Sequence, residues 1–512
     1  MNWDFFQQCA LDNRWAALMP EILLIVSAAL LLMFSCFLPE RQLEGLARRA
    51  TAMTFLVVAA MIGWFWWVQD LVQAAWPTLS WGHMPQSFVT FSGSVFHTHY
   101  TPFLRMFFLA AGWLTVFLVG PSAHQKGFSK ATFYPLSLWV IASFMLLVQA
   151  HHFLTFFLAL ESATVALYIL IAYRKDSTLS LEAALKYLIS GAVGSGILLM
   201  GIALLYGAAT NPLLPCAVMD GLNFSSLNLF IAANPDNFLV WVGCAMILVT
   251  LGFKIGAVPF HLWIPDVYQG AYLPTTALLA VASKGAGVMI LMNLLHGPFA
   301  ALQARLLPVL LAIGIATILV GNTAALGQHF IKRILGLSGV AHAGYLILGV
   351  AASFYVSWAP IAILFYLFIY LIASFTTFTV ISQVQSNTSE EALLSLHDFQ
   401  SIGERNGFLG FALTSGLASL AGVPPFAGFV AKFLLLVAVF QAHFYVSFAA
   451  ALVGVVVSLY YYFNWLRSGV FLPWQTKHTA PVAAIAVSPS IQFILMILVA
   501  LSIVLGIVPC LV

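Results

Sequence analysis

The sequence predicts an all-α, polytopic membrane protein with about fourteen transmembrane helices, and three observations carry that prediction. Of 512 residues, 62% are hydrophobic and 7% are charged, far too little charge to cover the surface of a soluble domain. Apolar runs of roughly 18–25 residues recur from end to end, each long enough to cross a bilayer core; the short alternating segments of a membrane β-barrel are missing. The basic residues, finally, collect on one side of the spans that these runs define.

Taken in order, the spans run at 18–38, 50–69, 103–120, 134–150, 153–173, 182–207, 238–267, 274–296, 305–326, 331–354, 357–384, 407–440, 444–467 and 488–511. The first follows a mixed segment with Asp4, Asp12 and Arg14. That segment lacks the basic start of a signal peptide, so the span is expected to be retained. Two connections, 70–102 and 208–237, are long and rich in Pro, Gly, Ser, Thr or Asn, as loops are. Of the 19 lysines and arginines, twelve, from Arg41 to Lys477, fall after odd-numbered spans, whereas Arg14, Arg105 and Arg305 fall on the other side. The remaining four, Lys186, Lys254, Lys284 and Lys432, lie inside spans. By the positive-inside rule, both termini are then expected on the outer side.

Spans 7 and 12 are too long, at about 30 and 34 residues where about 20 suffice. The first holds Pro259 and Pro265 and the second Pro424 and Pro425. A proline removes a backbone donor and clashes with the carbonyl four residues earlier, so both helices are expected to break in mid-membrane. The two lie five spans apart, an odd offset that puts them in opposite orientation. This predicts two inverted repeats, spans 4–8 and 9–13, with discontinuous helices 7 and 12. The expected divisions are 1–130 (three N-terminal helices), 131–300 and 301–470 (the repeats), and 471–512 (the last helix).

Several chemistries find no support. Cys9, Cys36, Cys216, Cys244 and Cys510 include no CxxC pair, so neither a zinc nor an iron–sulfur site is expected. A phosphate loop and a dinucleotide fingerprint are both missing. No bound cofactor, metal or nucleic-acid partner is expected of this chain.

What remains is a set of ionisable residues at membrane depth. Glu161, in "FFLALESATVALYIL", lies roughly 13 Å into span 5 at 1.5 Å per residue. Lys284, in "ALLAVASKGAGVMIL", and His342, in "GVAHAGYLILG", are about as deep. Lys254 and Lys432 sit beside the two breaks. Each such group costs roughly 2.5–3.5 kcal/mol on insertion scales. The bland readings are a static ion pair between Glu161 and Lys254 and a satisfied core position for His342. Lys186, about one turn into span 6, is a further candidate for proton transfer but could merely serve a helix end, and Asp266 could cap a helix or face the inner loop. The functional reading is a proton relay. Burial disfavours the charged form of a lysine and a nearby carboxylate favours it. Movement of Glu161 relative to Lys254 would therefore switch that lysine between holding and releasing a proton. Lys284, His342 and Lys432 could carry the proton laterally. Broken helices supply free carbonyls and room for water. Four lysines with one deep acid suit a proton better than a metal cation, which wants more oxygen ligands.

At these same residues the sequence resembles the antiporter-like membrane subunits of NADH:quinone oxidoreductase, respiratory complex I. "KIGAVPFHLWIPDVYQGA", "ASKGAG", "IKRILGLSGVAHAGY" and "SLAGVPPFAGFVAKF" follow in the family's order. "DVYQGA" and "EAALKYLISGA", with Lys186, look like the subunit N branch. The chain stops after span 14, so the long lateral helix of the L branch is not expected. The resemblance implies that Glu161 is the family's span-5 glutamate and that Lys254, Lys284 and Lys432 are its lysines of spans 7, 8 and 12. Tyr272–Leu273 and Gly407 depart from the family pattern near the inner surface. The resemblance further implies a proton-translocating module of a redox complex in a bacterial inner membrane. NADH, FMN, iron–sulfur clusters and quinone would sit in partner subunits. Neighbours would include another antiporter-like subunit and small membrane subunits. Two alternatives stay open: a subunit of a multi-subunit cation/proton antiporter or membrane hydrogenase, and a non-transporting scaffold.

Overall fold

The structure, a computed structural model, describes residues 15–38, 40–75, 88–91, 93–119, 130–386, 394–400, 402–471 and 484–507. Cys9, Arg14, Lys126, Lys477 and Cys510 lie outside the described residues, as do the side chains of Arg41 and Lys130.

Helices dominate. They run α1 (Met19–Ser35), α2 (Glu40–Ala75), α3 (Thr101–Val119), α4 (Lys130–Val148), α5 (Phe153–Ile171), α6 (Thr178–Ala209), α7 (Phe224–Ala233), α8 (Phe238–Ile255) and α9 (Trp263–Gly270). Then follow α10 (Leu273–Leu278), α11 (Lys284–His296), α12 (Gln303–Leu326), α13 (Ile331–Ala352), α14 (Ala359–Ser386), α15 (Gly407–Ala421), α16 (Ala427–Gln441), α17 (Tyr445–Leu466) and α18 (Pro489–Ile507). A π-helical turn, Leu279–Ser283, joins α10 to α11. Among the described residues, twelve helical stretches are long and apolar enough to cross a membrane. Adding α1 and the broken pair α15–α16 gives the fourteen crossings that the hydropathy pattern predicts.

The connections differ from expectation in two places. The 70–102 segment contains an antiparallel hairpin, Phe88–Thr90 with Val95–His97, in which Phe88 faces His97. The 208–237 segment contains α7, whose N-terminus is capped by Asn223 accepting from the Ser225 N–H. Arg105 also differs: it is not a loop residue. It lies buried in the first turns of α3, where Nε and Nη2 donate to the two carboxylate oxygens of Glu21 at 2.7 and 2.8 Å. Gln149 completes the cluster, donating to Glu21 at 2.7 Å. A guanidinium satisfied in this way can leave water, which an unpaired one could not.

Both predicted breaks are present, and they share one design. At the first, Gly256 takes φ +82°; its N–H bonds to the Gly252 and Phe253 carbonyls, and the Ala257 N–H reaches back to Gly252. At the second, Gly422 takes φ +83°, bonding to Ala418 and Ser419, while Val423 reaches back to Ala418. This is the left-handed glycine stop of a helix, and it satisfies the carbonyls that the break releases. Beyond the glycine the chain reads A-V-P-F in one case and V-P-P-F in the other.

The centre of the molecule is formed by three stretches. Residues 334–352 are buried along their whole length and Leu273–His296 and Ala359–Gln385 nearly so, whereas most of Thr178–Ala209 is not. A helix apolar all round and enclosed by other helices needs a reason to carry polar groups.

Candidate functional site

Those reasons lie along the buried centre. Lys254 sits in the last turn of α8, just before the first break. Its Nζ donates to Thr164 Oγ1 on α5 at 2.6 Å, and it lies over the Tyr187 ring, 5.9 Å from the centroid. Glu161, one turn from Thr164 on α5, accepts from Ser195 Oγ on α6 at 2.6 Å. Among the described residues, Glu161 and Lys254 form no ion pair within 4.0 Å, and their hydroxyl partners place Glu161 against α6 and Lys254 against α5. The break itself is braced by a later helix: the Val258 N–H donates to Thr317 Oγ1 on α12 at 3.0 Å.

Lys284 opens α11, directly after the π-helical turn. Such turns often mark functional positions. Its Nζ donates to the Gly339 carbonyl on α13 and lies 5.2 Å from the centroid of Tyr370. A side chain at position 339 would fill this space, since a Cβ there would meet Lys284 Nζ at 2.8 Å. Three residues on, His342 Nδ1 is 2.6 Å from Tyr366 Oη, and its Nε2 is 3.5 Å from Tyr462 Oη. Lys432, on α16 after the second break, donates to the Ala421 carbonyl at 2.9 Å, so here the broken helix supplies the lysine's acceptor. A cavity of about 10 Å³ is lined by His342, Tyr366, Tyr370, Ser419 and Lys432. That is room for about one water.

Lys186 stands apart from this line. It is exposed on α6, with Nζ 2.7 Å from both Glu182 and Asp266. Asp266 also pairs with Arg333 of α13 at 3.0 Å, so it ties α6, α9 and α13 together rather than simply facing a loop. His152 caps α5 by accepting from the Leu154 N–H at 3.1 Å.

The residues missed from sequence are hydroxyls: Thr164, Ser195, Tyr366, Tyr370 and Tyr462. Thr164, three residues after Glu161, and Ser195, nine after Lys186, could have been flagged by that spacing; Tyr366 and Tyr370 have no acidic or basic residue or break within three turns. Among the described residues, no group of three or more His, Cys, Asp or Glu could hold a metal ion.

The family described as NADH:quinone oxidoreductase/Mrp antiporter, TM, matches residues 150–458, more than half of the chain. The chain belongs to this family. Within it, the chain is 43% identical over 494 residues to NADH-quinone oxidoreductase subunit N 1 of Opitutus terrae, covering 96% of this chain and 93% of that one. It is 31% identical to subunit N 1 of Rhizobium meliloti, over 88% of this chain and 87% of that one. Among solved structures, a chain of respiratory complex I from Thermus thermophilus aligns with TM-score 0.74 at 26% identity, over 96% of this chain and 98% of that one. A chain of the Mrp complex from Dietzia shares the fold, with TM-score 0.73 at 20% identity, over 96% and 95%.

Proposed function

We propose that this chain is a proton-translocating membrane-arm subunit of an NADH:quinone oxidoreductase of the subunit N type. It contributes to a translocase whose redox chemistry takes place elsewhere. NADH, flavin, iron–sulfur clusters and quinone belong to partner subunits, and its neighbours are other membrane-arm subunits, including a second antiporter-like one. The 43% identity over nearly the whole chain to a subunit N favours this over a cation/proton antiporter. The protein is a multi-pass membrane protein. We place it in a bacterial inner membrane with both termini on the outer side, following the one-sided basic residues.

Glu161, Lys254, Lys284, His342 and Lys432 carry the proton in this reading. The observation behind it is the contact of Lys284 with the Gly339 carbonyl, which brings a titratable residue of 131–300 onto α13, one turn from His342. Protons held by Lys254 pass to Lys284, then by way of His342 and its tyrosines to Lys432. Between Lys254 and Lys284 no direct hydrogen bond exists among the described residues, and a bridging water would serve that step. Lys186, held by two carboxylates outside this line, orders the inner ends of α6, α9 and α13.

Purification of the tagged chain from its native membrane tests the assignment. Recovery with flavin- and iron–sulfur-bearing subunits and NADH:quinone activity is expected. Recovery in a complex that exchanges sodium for protons without an electron donor would overturn it.

A further inference from the structure

The acid and the base at the head of the path are each held by a hydroxyl. Thr164 follows Glu161 by three residues, so the two side chains share one face of α5, about 5–6 Å apart at Cβ. Thr164 Oγ1 donates its single proton to the Leu160 carbonyl at 2.7 Å and accepts from Lys254 at 2.6 Å. Ser195 Oγ lies 2.6 Å from Glu161 Oε1 and 3.0 Å from the Gly191 carbonyl. Each hydroxyl thus has a backbone acceptor four residues back on its own helix. When its titratable partner leaves, Thr164 keeps its bond to Leu160 and Ser195 turns to Gly191, and no buried donor is orphaned.

The two addresses open to Lys254 differ in kind. A hydroxyl oxygen accepts an N–H from an amine or an ammonium alike. A carboxylate strongly prefers the ammonium, because that bond is charge-assisted. We propose that Thr164 is the station of Lys254 in its unprotonated form, and that Ser195 holds Glu161 while the lysine is away. Protonation carries the Lys254 amine one turn along α5 to Glu161, and deprotonation returns it. The proton arrives from water and leaves toward Lys284. Thr164 and Ser195 gain and lose none, and they are positioning residues. The inference rests on the reading of Lys254 as a proton carrier.

The test uses the assembled complex in membrane vesicles, with NADH oxidation and acidification measured together. Thr164→Val keeps the shape and removes the acceptor; Thr164→Ser keeps the hydroxyl; Ser195→Ala frees Glu161. The expected result is about a tenfold loss of protons moved per NADH in Thr164→Val, a smaller loss in Ser195→Ala, and recovery in Thr164→Ser, with the amount of complex unchanged. Wild-type pumping in both Thr164→Val and Ser195→Ala, where Lys254→Ala is inactive, overturns the two stations and leaves the proton path standing. Wild-type pumping in Lys254→Ala as well overturns the path itself. A loss in Thr164→Val that Thr164→Ser does not restore also counts against the stations.

Discussion

Lys284 donates to the main-chain carbonyl of Gly339, and by this one bond a lysine 55 residues earlier in the chain touches the helix that carries His342. The acceptor is neutral, and among the described residues no carboxylate pairs with Lys284. A cation without a counter-ion at this depth has no structural use that a methionine would not serve better.

Lys284→Met and Lys432→Met are therefore expected to leave the complex as stable as the parent or more so, while proton pumping falls by tenfold or more. Thermal unfolding of the purified complex and acidification in vesicles measure the two effects. A passive scaffold would show unchanged pumping.

The lateral step is expected to run through one face of His342 more than the other. Tyr366 Oη lies 2.6 Å from Nδ1, and Tyr462 Oη 3.5 Å from Nε2. Tyr366→Phe should slow pumping several-fold and Tyr462→Phe clearly less. Equal rates in the two variants would remove the phenol from the path.

The first break tolerates no side chain at its glycine. At φ +82° a Cβ on Gly256 would meet Ile264 Cδ1 at 2.2 Å. Gly256→Ala should cost about 1–2 kcal/mol for the left-handed backbone, and about 1–3 kcal/mol more for overpacking. Gly196 has nothing within 4 Å of a Cβ, and Gly196→Ala should be neutral or stabilising by up to about 1 kcal/mol. Denaturation midpoints of the two variants check this contrast.

His97, on the hairpin outside the membrane spans, sets an acid limit. Its imidazole is pushed down to about 3, first by burial and then by the Arg105 guanidinium. The unfolded chain takes up a proton below about pH 6.5, whereas the folded one stays neutral. Stability is thus full above about pH 6.5 and is lost progressively as pH falls toward 3. His97→Phe, which keeps a ring stacked on Phe88, should flatten that acid slope. An unchanged slope would place the sensitivity elsewhere.

The fourteen crossings were legible because length and hydropathy fix them, and both breaks because proline interrupts a helix wherever it falls; the left-handed glycines that make the stops, Gly256 and Gly422, were not. Nor were other features. Helix α2 begins ten residues before its apolar run, in a stretch with Glu44, Arg48 and Arg49 where periodicity gives no sign of membrane. Arg105 and Glu21 are 84 residues apart, and no local pattern announces a pair at that range. The deep lysines and Glu161 stood out as charges in lipid. Thr164, Ser195 and Tyr366 did not, because a hydroxyl in an apolar helix usually bonds its own backbone and marks nothing. Only coordinates turn them toward a lysine, a carboxylate or an imidazole.

Replacement of Lys254 by alanine, with protons moved per NADH oxidised measured in vesicles holding the intact complex, bears most directly on the proton path. Assembly and electron transfer to quinone should survive while coupled acidification is lost. Acidification at the parent stoichiometry would contradict the role assigned to Lys254.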